Sequence, residues 1–303
     1  MDLKQQIASK GAGKQAVLDF QEKIREYRRA GSPSADVAEC RKQIYEQGMT
    51  SIKGAFSPEW AQRLRQEYQP LMDEARSRAN GTINRGPNRF YHAIHPERLS
   101  GFLDVITHPG FVGLCDSMLG PDYSIVEVGF DVPMPGAKDQ PWHRDFPIGS
   151  ETLIGGWISS LAFNLTTVDV TEEMGAFEIA LGTQFEDGVD FDAGMFPHKD
   201  QYPRYASLAK RCFPKAGDMS CRTGLTIHRG TEHNASIPRP VLIIGVIANL
   251  LVATTPHGIT MTRKFYESLP ESVKPRLLVN LTDELTPIEQ AHDIEGLRYA
   301  QEA

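Results

Sequence analysis

The sequence is poor in the features that mark several protein classes. Only four cysteines occur in 303 residues, Cys40, Cys115, Cys212 and Cys221, and no two form a Cys-x-x-Cys pair. This argues against a disulfide scaffold, an iron–sulfur cluster and a zinc knuckle, and points to thiols in a reducing compartment. No uncharged apolar run reaches the roughly 18 residues of a membrane span; the longest, Pro240 to Pro256, contains Asn249 and is broken by prolines. The stretch Met1-Asp2-Leu3-Lys4-Gln5-Gln6 has no apolar h-region. There is no basic excess either: 32 Lys and Arg against 39 Asp and Glu leave a net charge of -7, with both signs mixed along the chain. Nothing in that balance favours nucleic acid. A regular alternation of strand and helix is also missing, which speaks against a Rossmann-like sheet. The expectation is a soluble, cytoplasmic protein, monomer or homodimer, with no nucleic-acid or membrane partner.

What is present falls into two textures. Up to about residue 120 the chain reads as mostly helical, with helices over 14–29 and 35–47 and a longer one opened by Ser57-Pro58. Trp60, Leu64, Tyr68, Met72 and Ala75 recur at helical spacing and should lay one apolar face on the core until Asn80-Gly81. A strand is expected over Arg89–His95, placing His92 and His95 near a pocket rim, and two short helices around 97–106 and 110–119. After Pro121 short strand-like runs follow one another: 124–132, 156–165, 175–180, 219–222, 225–227 and the apolar run 240–251. Many short strands between Gly- and Pro-containing turns suggest a jelly roll or barrel. The stretch 183–213, polar and irregular, reads as a lid over a pocket. Short helices return beyond Thr260, over 261–268 and from about Thr286-Pro287. With no repeat and no disordered linker, residues 1–303 are expected to form one domain: a helical part (1–120), a β core (121–255) and C-terminal helices (256–303).

The clearest chemical signal is Trp142-His143-Arg144-Asp145-Phe146. On an extended strand His143 and Asp145 point to one face and Arg144 to the other. An imidazole and a carboxylate side by side can hold two cis positions of a divalent metal. A third ligand must come from elsewhere, and His228, 85 residues downstream, is the candidate. Two histidines and one carboxylate on one face of an octahedral ion leave about three positions open, which suits non-haem Fe(II) oxygen chemistry. Zinc fits the ligand types but prefers fewer ligands, or four from protein in a structural site. His233 competes with His228; it sits past the turn at Gly230 among polar residues, whereas His228 follows the apolar Leu225–Ile227.

Downstream of His228, Arg239 enters an apolar strand, where a guanidinium is costly unless paired. Its planar fork could hold the far end of a dicarboxylate by two parallel hydrogen bonds, or form an internal pair with Asp or Glu.

Taken together, these segments resemble the phytanoyl-CoA dioxygenase family of Fe(II)/2-oxoglutarate oxygenases. The matching pieces are Leu119-Gly120-Pro121-Asp122, Gln140-Pro141-Trp142-His143-Arg144-Asp145, Asp169 to Phe177, Leu181-Gly182-Thr183, Ala216-Gly217-Asp218, and His228-Arg229-Gly230 with Asn234, Ser236 and Arg239-Pro240. The resemblance implies a mainly β fold with packed helices around a double-stranded β-helix, the cupin-like jelly roll. It implies His143, Asp145 and His228 as iron ligands and Arg239 on the distal carboxylate of 2-oxoglutarate, with O₂ as cosubstrate. Ser236 falls beside that arginine, and Gln140 and Trp157 fall on the cosubstrate or substrate side. Tyr91, Phe146, Arg144 and His233 are candidate substrate contacts, with Phe90, Phe163, Arg222 and His198 as further options. Where many relatives read Pro-Gly-Ser-His, this chain has Leu181-Gly182-Thr183-Gln184, and it keeps Asp145, which counts against halogenation. The implied activity is hydroxylation of a small-molecule substrate. Desaturation, epoxidation or stepwise oxidation in a biosynthetic pathway, degradation of an acyl or phosphonate compound, and a cupin-like metal binder without turnover are the alternatives.

Overall fold

The computed structural model describes Asp19, Gln21, Glu22 and residues 34–254 and 258–290. The helix expected over 14–29 lies outside the described residues apart from those three, which are helical.

Helix α1 (Ala35–Gln47) ends at Gly48, whose φ of 86° is the left-handed conformation glycine tolerates. A Cβ at Gly48 would also stand 2.1 Å from the Thr226 hydroxyl, so this cap sits directly against the loop that leads to His228. Strand β1 (Met49–Ile52) follows, and then helix α2 (Pro58–Ser77), capped by the Ser57 side chain, which accepts from the Trp60 amide. Trp60, Leu64, Tyr68, Met72 and Ala75 are all buried, as their spacing predicts. Tyr68 stacks on Phe130 with ring centroids 3.7 Å apart. Burying a side chain such as Leu64 or Met72 stabilises the fold by about 2 kcal/mol.

Strands β2 (Ile83–Asn84) and β3 (Arg89–Ala93) lead to helices α3 (Phe102–Ile106) and α4 (Pro109–Leu119) and to the long strand β4 (Ser124–Pro133). His92 is not at a rim: it is buried beside Tyr68, and burial pushes its pKa down to about 4. Next come helix α5 (Ser150–Leu153) and strands β5 (Ser160–Thr166) and β6 (Phe177–Ala180). They are followed by helix α6 (Tyr202–Leu208) and strands β7 (Ala209–Cys212), β8 (Met219–Arg222), β9 (His228–Gly230) and β10 (Val241–Ile247). Strand β11 (Ile259–Thr262), helix α7 (Arg263–Ser268) and strand β12 (Val279–Thr282) follow.

The architecture is a mixture of sheet and helix. A seven-stranded antiparallel sheet has the order β1-β8-β5-β10-β4-β3-β2, and a three-stranded one has the order β7-β6-β9. Strand β10, apolar almost throughout, lies in the middle of the large sheet, where both neighbours bury it. An antiparallel bridge between His143 and His228 adds the residue 143 segment to the small sheet.

Three further expectations differ from the structure. The stretch 183–213 is not irregular throughout, because α6 and β7 occupy its second half and β7 pairs with β6. The Leu225–Ile227 run is a turn, closed by Thr226 N–H on the Thr223 carbonyl, so His228 begins a strand instead of ending one. Met261 and Thr262 belong to β11, which pairs in parallel with β12; Thr262 caps α7, and 286–290 is not helical.

Candidate metal centre

The His143–His228 bridge is the frame of the site. Each residue's amide donates to the other's carbonyl, at 3.0 and 2.8 Å, which sets the two imidazoles beside each other with ring centroids 4.4 Å apart. Each ring is tied back through Nδ1, His143 to the Pro141 carbonyl and His228 to the Thr226 carbonyl, both at 2.8 Å. A ring that donates from Nδ1 keeps the Nε2 lone pair for a metal, the usual carbonyl-to-histidine support of a ligand. Phe196 lies along the His143 ring and Phe177 beside the His228 ring, at 6.0 and 5.2 Å.

Asp145 completes the cluster. One ligand atom from each of His143, Asp145 and His228 lies within 4.8 Å of the others. Asp145 Oδ1 is 3.3 Å from His228 Nε2, and Oδ2 accepts from Arg222 Nη1 at 2.6 Å. Burial opposes charge on this carboxyl, but Arg222 and His228 outweigh it and hold its pKa well below the usual carboxylate range. Burial, then the neighbouring His228, pushes His143 down to about 3. A neutral imidazole and a carboxylate are the states a metal ligand needs. The donor set therefore fits a divalent ion with open positions, as Fe(II) requires.

Gly224 is a second determinant that the motif did not reveal. Its carbonyl accepts the Asp145 amide at 2.8 Å, and a Cβ there would stand 2.7 Å from Asp145 Oδ2 and from the edge of Phe146. Gly224→Ala is expected to displace the carboxylate and weaken Fe(II) binding about 10- to 100-fold; an anaerobic Fe(II) titration that matches the parent protein would contradict this.

Arg239 is buried, with Nε donating to the Met174 carbonyl at 3.0 Å and Nη2 to the Gly175 carbonyl at 2.9 Å. Burial, then Arg89, lowers its pKa to about 10. Arg89 pairs with Asp131, and Arg239 makes no ion pair with a carboxylate among the described residues. The side edge of its fork is taken by carbonyls, whereas the Nη1/Nη2 end still presents two N–H groups suited to a carboxylate. The buried positive charge that remains suits the distal group of a dicarboxylate.

The other candidates sit as follows. Phe146 is partly exposed beside Gly224 and Asp145. Arg144 faces away from the cluster under 186–191, donating to the Glu186 carbonyl at 3.0 Å and lying over the Phe191 ring. Gln140 spends its amide on Gly230 N–H and the Arg85 carbonyl. Trp157 is buried in the main core with its indole N–H on the Met118 carbonyl. Tyr91 gives its hydroxyl to Glu127 at 2.6 Å. His233 is fully buried with its ring nitrogens on the Glu173 and Ile237 carbonyls, a loop staple and not a fourth member of the cluster. Ser236 is exposed on the same loop.

Residues 44–241 match the phytanoyl-CoA dioxygenase (PhyH) family. The chain belongs to that family. It is an Fe(II)- and 2-oxoglutarate-dependent dioxygenase. A curated relative, "Dioxygenase hkm4" of Aspergillus hancockii, is 27% identical over 226 residues, covering 68% of this chain and 69% of that protein. Among solved structures, the non-haem alpha-ketoglutarate-dependent carbocyclase SnoK from nogalamycin biosynthesis is similar in fold, with TM-score 0.56 and 17% identity over 72% of this chain and 87% of that one. EctD from S. alaskensis, solved with 2-oxoglutarate and 5-hydroxyectoine, gives TM-score 0.57 and 12% identity over 73% of this chain and 80% of that one. No helix among the described residues is long and apolar enough to cross a membrane.

Proposed function

We propose that this dioxygenase hydroxylates an unactivated C–H bond of a small metabolite at an iron held by His143, Asp145 and His228, releasing succinate and CO₂. The observation that carries the reading is the convergence of two back-tied imidazoles and one carboxylate within 4.8 Å. Bound iron and 2-oxoglutarate would supply the oxidising chemistry with O₂. The protein's part is geometric. The Nδ1 tethers fix both rings, Arg222 and Gly224 set Asp145, and the outer end of Arg239 receives the distal carboxylate of the cosubstrate. Phe177 and Phe196 keep water from the histidine side.

Hydroxylation is placed first because EctD, a relative in fold, was solved with a hydroxylated molecule; the carbocyclase SnoK supports ring formation as the second reading. The core is taken to be a double-stranded β-helix within one domain, supported by β1 and β3 from the helical N-terminal part joining the large sheet. The free state of all four cysteines agrees with a cytoplasmic setting.

The test is anaerobic reconstitution with Fe(II) and 2-oxoglutarate, followed by O₂ and a panel of small metabolites. Succinate formation should rise with a substrate whose product gains one oxygen atom. Tight metal binding with no substrate-stimulated succinate across the panel would favour a binding protein instead.

A further inference from the structure

Arg222, at the end of β8, is nearly buried, and one of its three nitrogens is engaged: Nη1 holds Asp145 Oδ2 at 2.6 Å. Its Nε is buried without a hydrogen-bond partner, and Nη2 makes no hydrogen bond among the described residues. Nε and Nη2 share one side of the planar group, and their N–H bonds run parallel, matched to the two oxygens of a carboxylate. A buried cationic N–H without an acceptor carries an unrelieved desolvation penalty, which a bound oxyanion removes.

Arg85, Arg89 and Arg144 also leave a buried Nε unpartnered, and Arg144 its Nη2 as well, but their surroundings differ: Arg85 lies over the Tyr91 ring. Arg144 is covered by Gly188 and Phe191, and Arg89 is pressed on Gly230 with its other nitrogens on Asp131 and the Thr231 carbonyl. Arg222 instead adjoins the open side of the cluster: the Asp145 side chain is 33% exposed and Phe146 is 36% exposed. Phe177, beside His228, supports the guanidinium with its ring centroid 5.5 Å from Cζ. A divalent ion on Asp145 would also compensate the carboxylate, leaving the guanidinium charge to be met by another anion.

We propose that the Nε/Nη2 edge of Arg222 is a carboxylate subsite beside the iron, serving either the C1 carboxylate of 2-oxoglutarate or a carboxylate of the substrate. The proposal rests on the iron-centre reading above. Within it, Arg222 has two tasks: one arm positions Asp145, and the free edge recognises the anion.

The test compares the full-length protein with Arg222→Lys under anaerobic conditions. Lysine can keep the ion pair with Asp145 but offers no planar fork. Fe(II) alone, 2-oxoglutarate, pyruvate and, on the iron–2-oxoglutarate complex, benzoate are titrated by calorimetry and by the visible charge-transfer band. Fe(II) affinity is expected to stay within about 3-fold, while carboxylate affinity falls about tenfold or more. An equal loss for 2-oxoglutarate and pyruvate, which lacks the distal carboxylate, assigns the edge to C1. Unchanged keto-acid binding with a lost benzoate response assigns it to the substrate. Unchanged affinity for both keto acids together with the same benzoate response in both proteins overturns the subsite, as does loss of Fe(II) binding by Arg222→Lys, which would leave Arg222 a positioning residue alone. Failure of the parent protein to bind Fe(II) would instead count against the iron-centre reading.

Discussion

Asp145→Ala is expected to abolish Fe(II) binding and turnover together. The substitution removes the anionic member of the cluster and leaves two imidazoles to hold the divalent ion. It also leaves Arg222 without its ion-pair partner. Because Asp145 is one-third exposed, that loss lies between a surface and a buried pair, about 2 kcal/mol of stability. Asp145→Asn separates the two effects. The amide keeps the shape and can still accept from Arg222, so its thermal midpoint should fall less, yet Fe(II) binding should be lost to a similar degree. Anaerobic titration followed by a melting curve on both variants checks this. An alanine variant that retains iron and turnover would show that the carboxylate is only half of an ion pair.

The second large effect is expected at Arg239. Arg239→Met should weaken 2-oxoglutarate binding by about 100-fold or more, the loss of two charge-assisted hydrogen bonds to a carboxylate, while Fe(II) affinity stays near that of the parent. Pyruvate binding should change little, since pyruvate has no distal carboxylate to lose. The Met174 and Gly175 carbonyls also lose their donors, so a stability loss of about 1–3 kcal/mol accompanies the change. Arg239→Lys should fall between the two, because an ammonium restores charge without the fork. Calorimetry with 2-oxoglutarate and pyruvate on the iron-loaded variants measures it. An unchanged dependence on 2-oxoglutarate would mean that the guanidinium serves only the two carbonyls it already holds.

The sequence made the α2 core face legible because one amphipathic helix writes its burial into a local period: Trp60, Leu64, Tyr68, Met72 and Ala75 all point inward. The pairing of His143 with Asp145 was also legible, although the segment is a single bridge followed by a bend and not a full strand. Two residues of extended backbone were enough to turn Arg144 away. What escaped was non-local. Arg222 and Gly224 act on Asp145 from 77 and 79 residues away in sequence, through an ion pair and a close approach that no spacing records. Trp157 and Gln140 lie at motif positions, but their polar atoms go to backbone groups at Met118, Arg85 and Gly230. The Leu225–Ile227 stretch has strand-like composition, yet Thr223 closes it into a turn, its carbonyl accepting from the Thr226 amide and its hydroxyl from the Leu225 amide. β12 and the parallel pairing of β11 with it depend on contacts between distant segments, which composition could not reveal.

The most direct test of the account is a crystal structure of the full-length protein grown anaerobically with Fe(II) and 2-oxoglutarate. The expected density shows one iron bonded to Nε2 of His143, Nε2 of His228 and a single oxygen of Asp145, with 2-oxoglutarate chelating the ion and its distal carboxylate against the Nη1/Nη2 end of Arg239. Iron bound elsewhere, or Asp145 turned wholly to Arg222 with both imidazoles free, would contradict it.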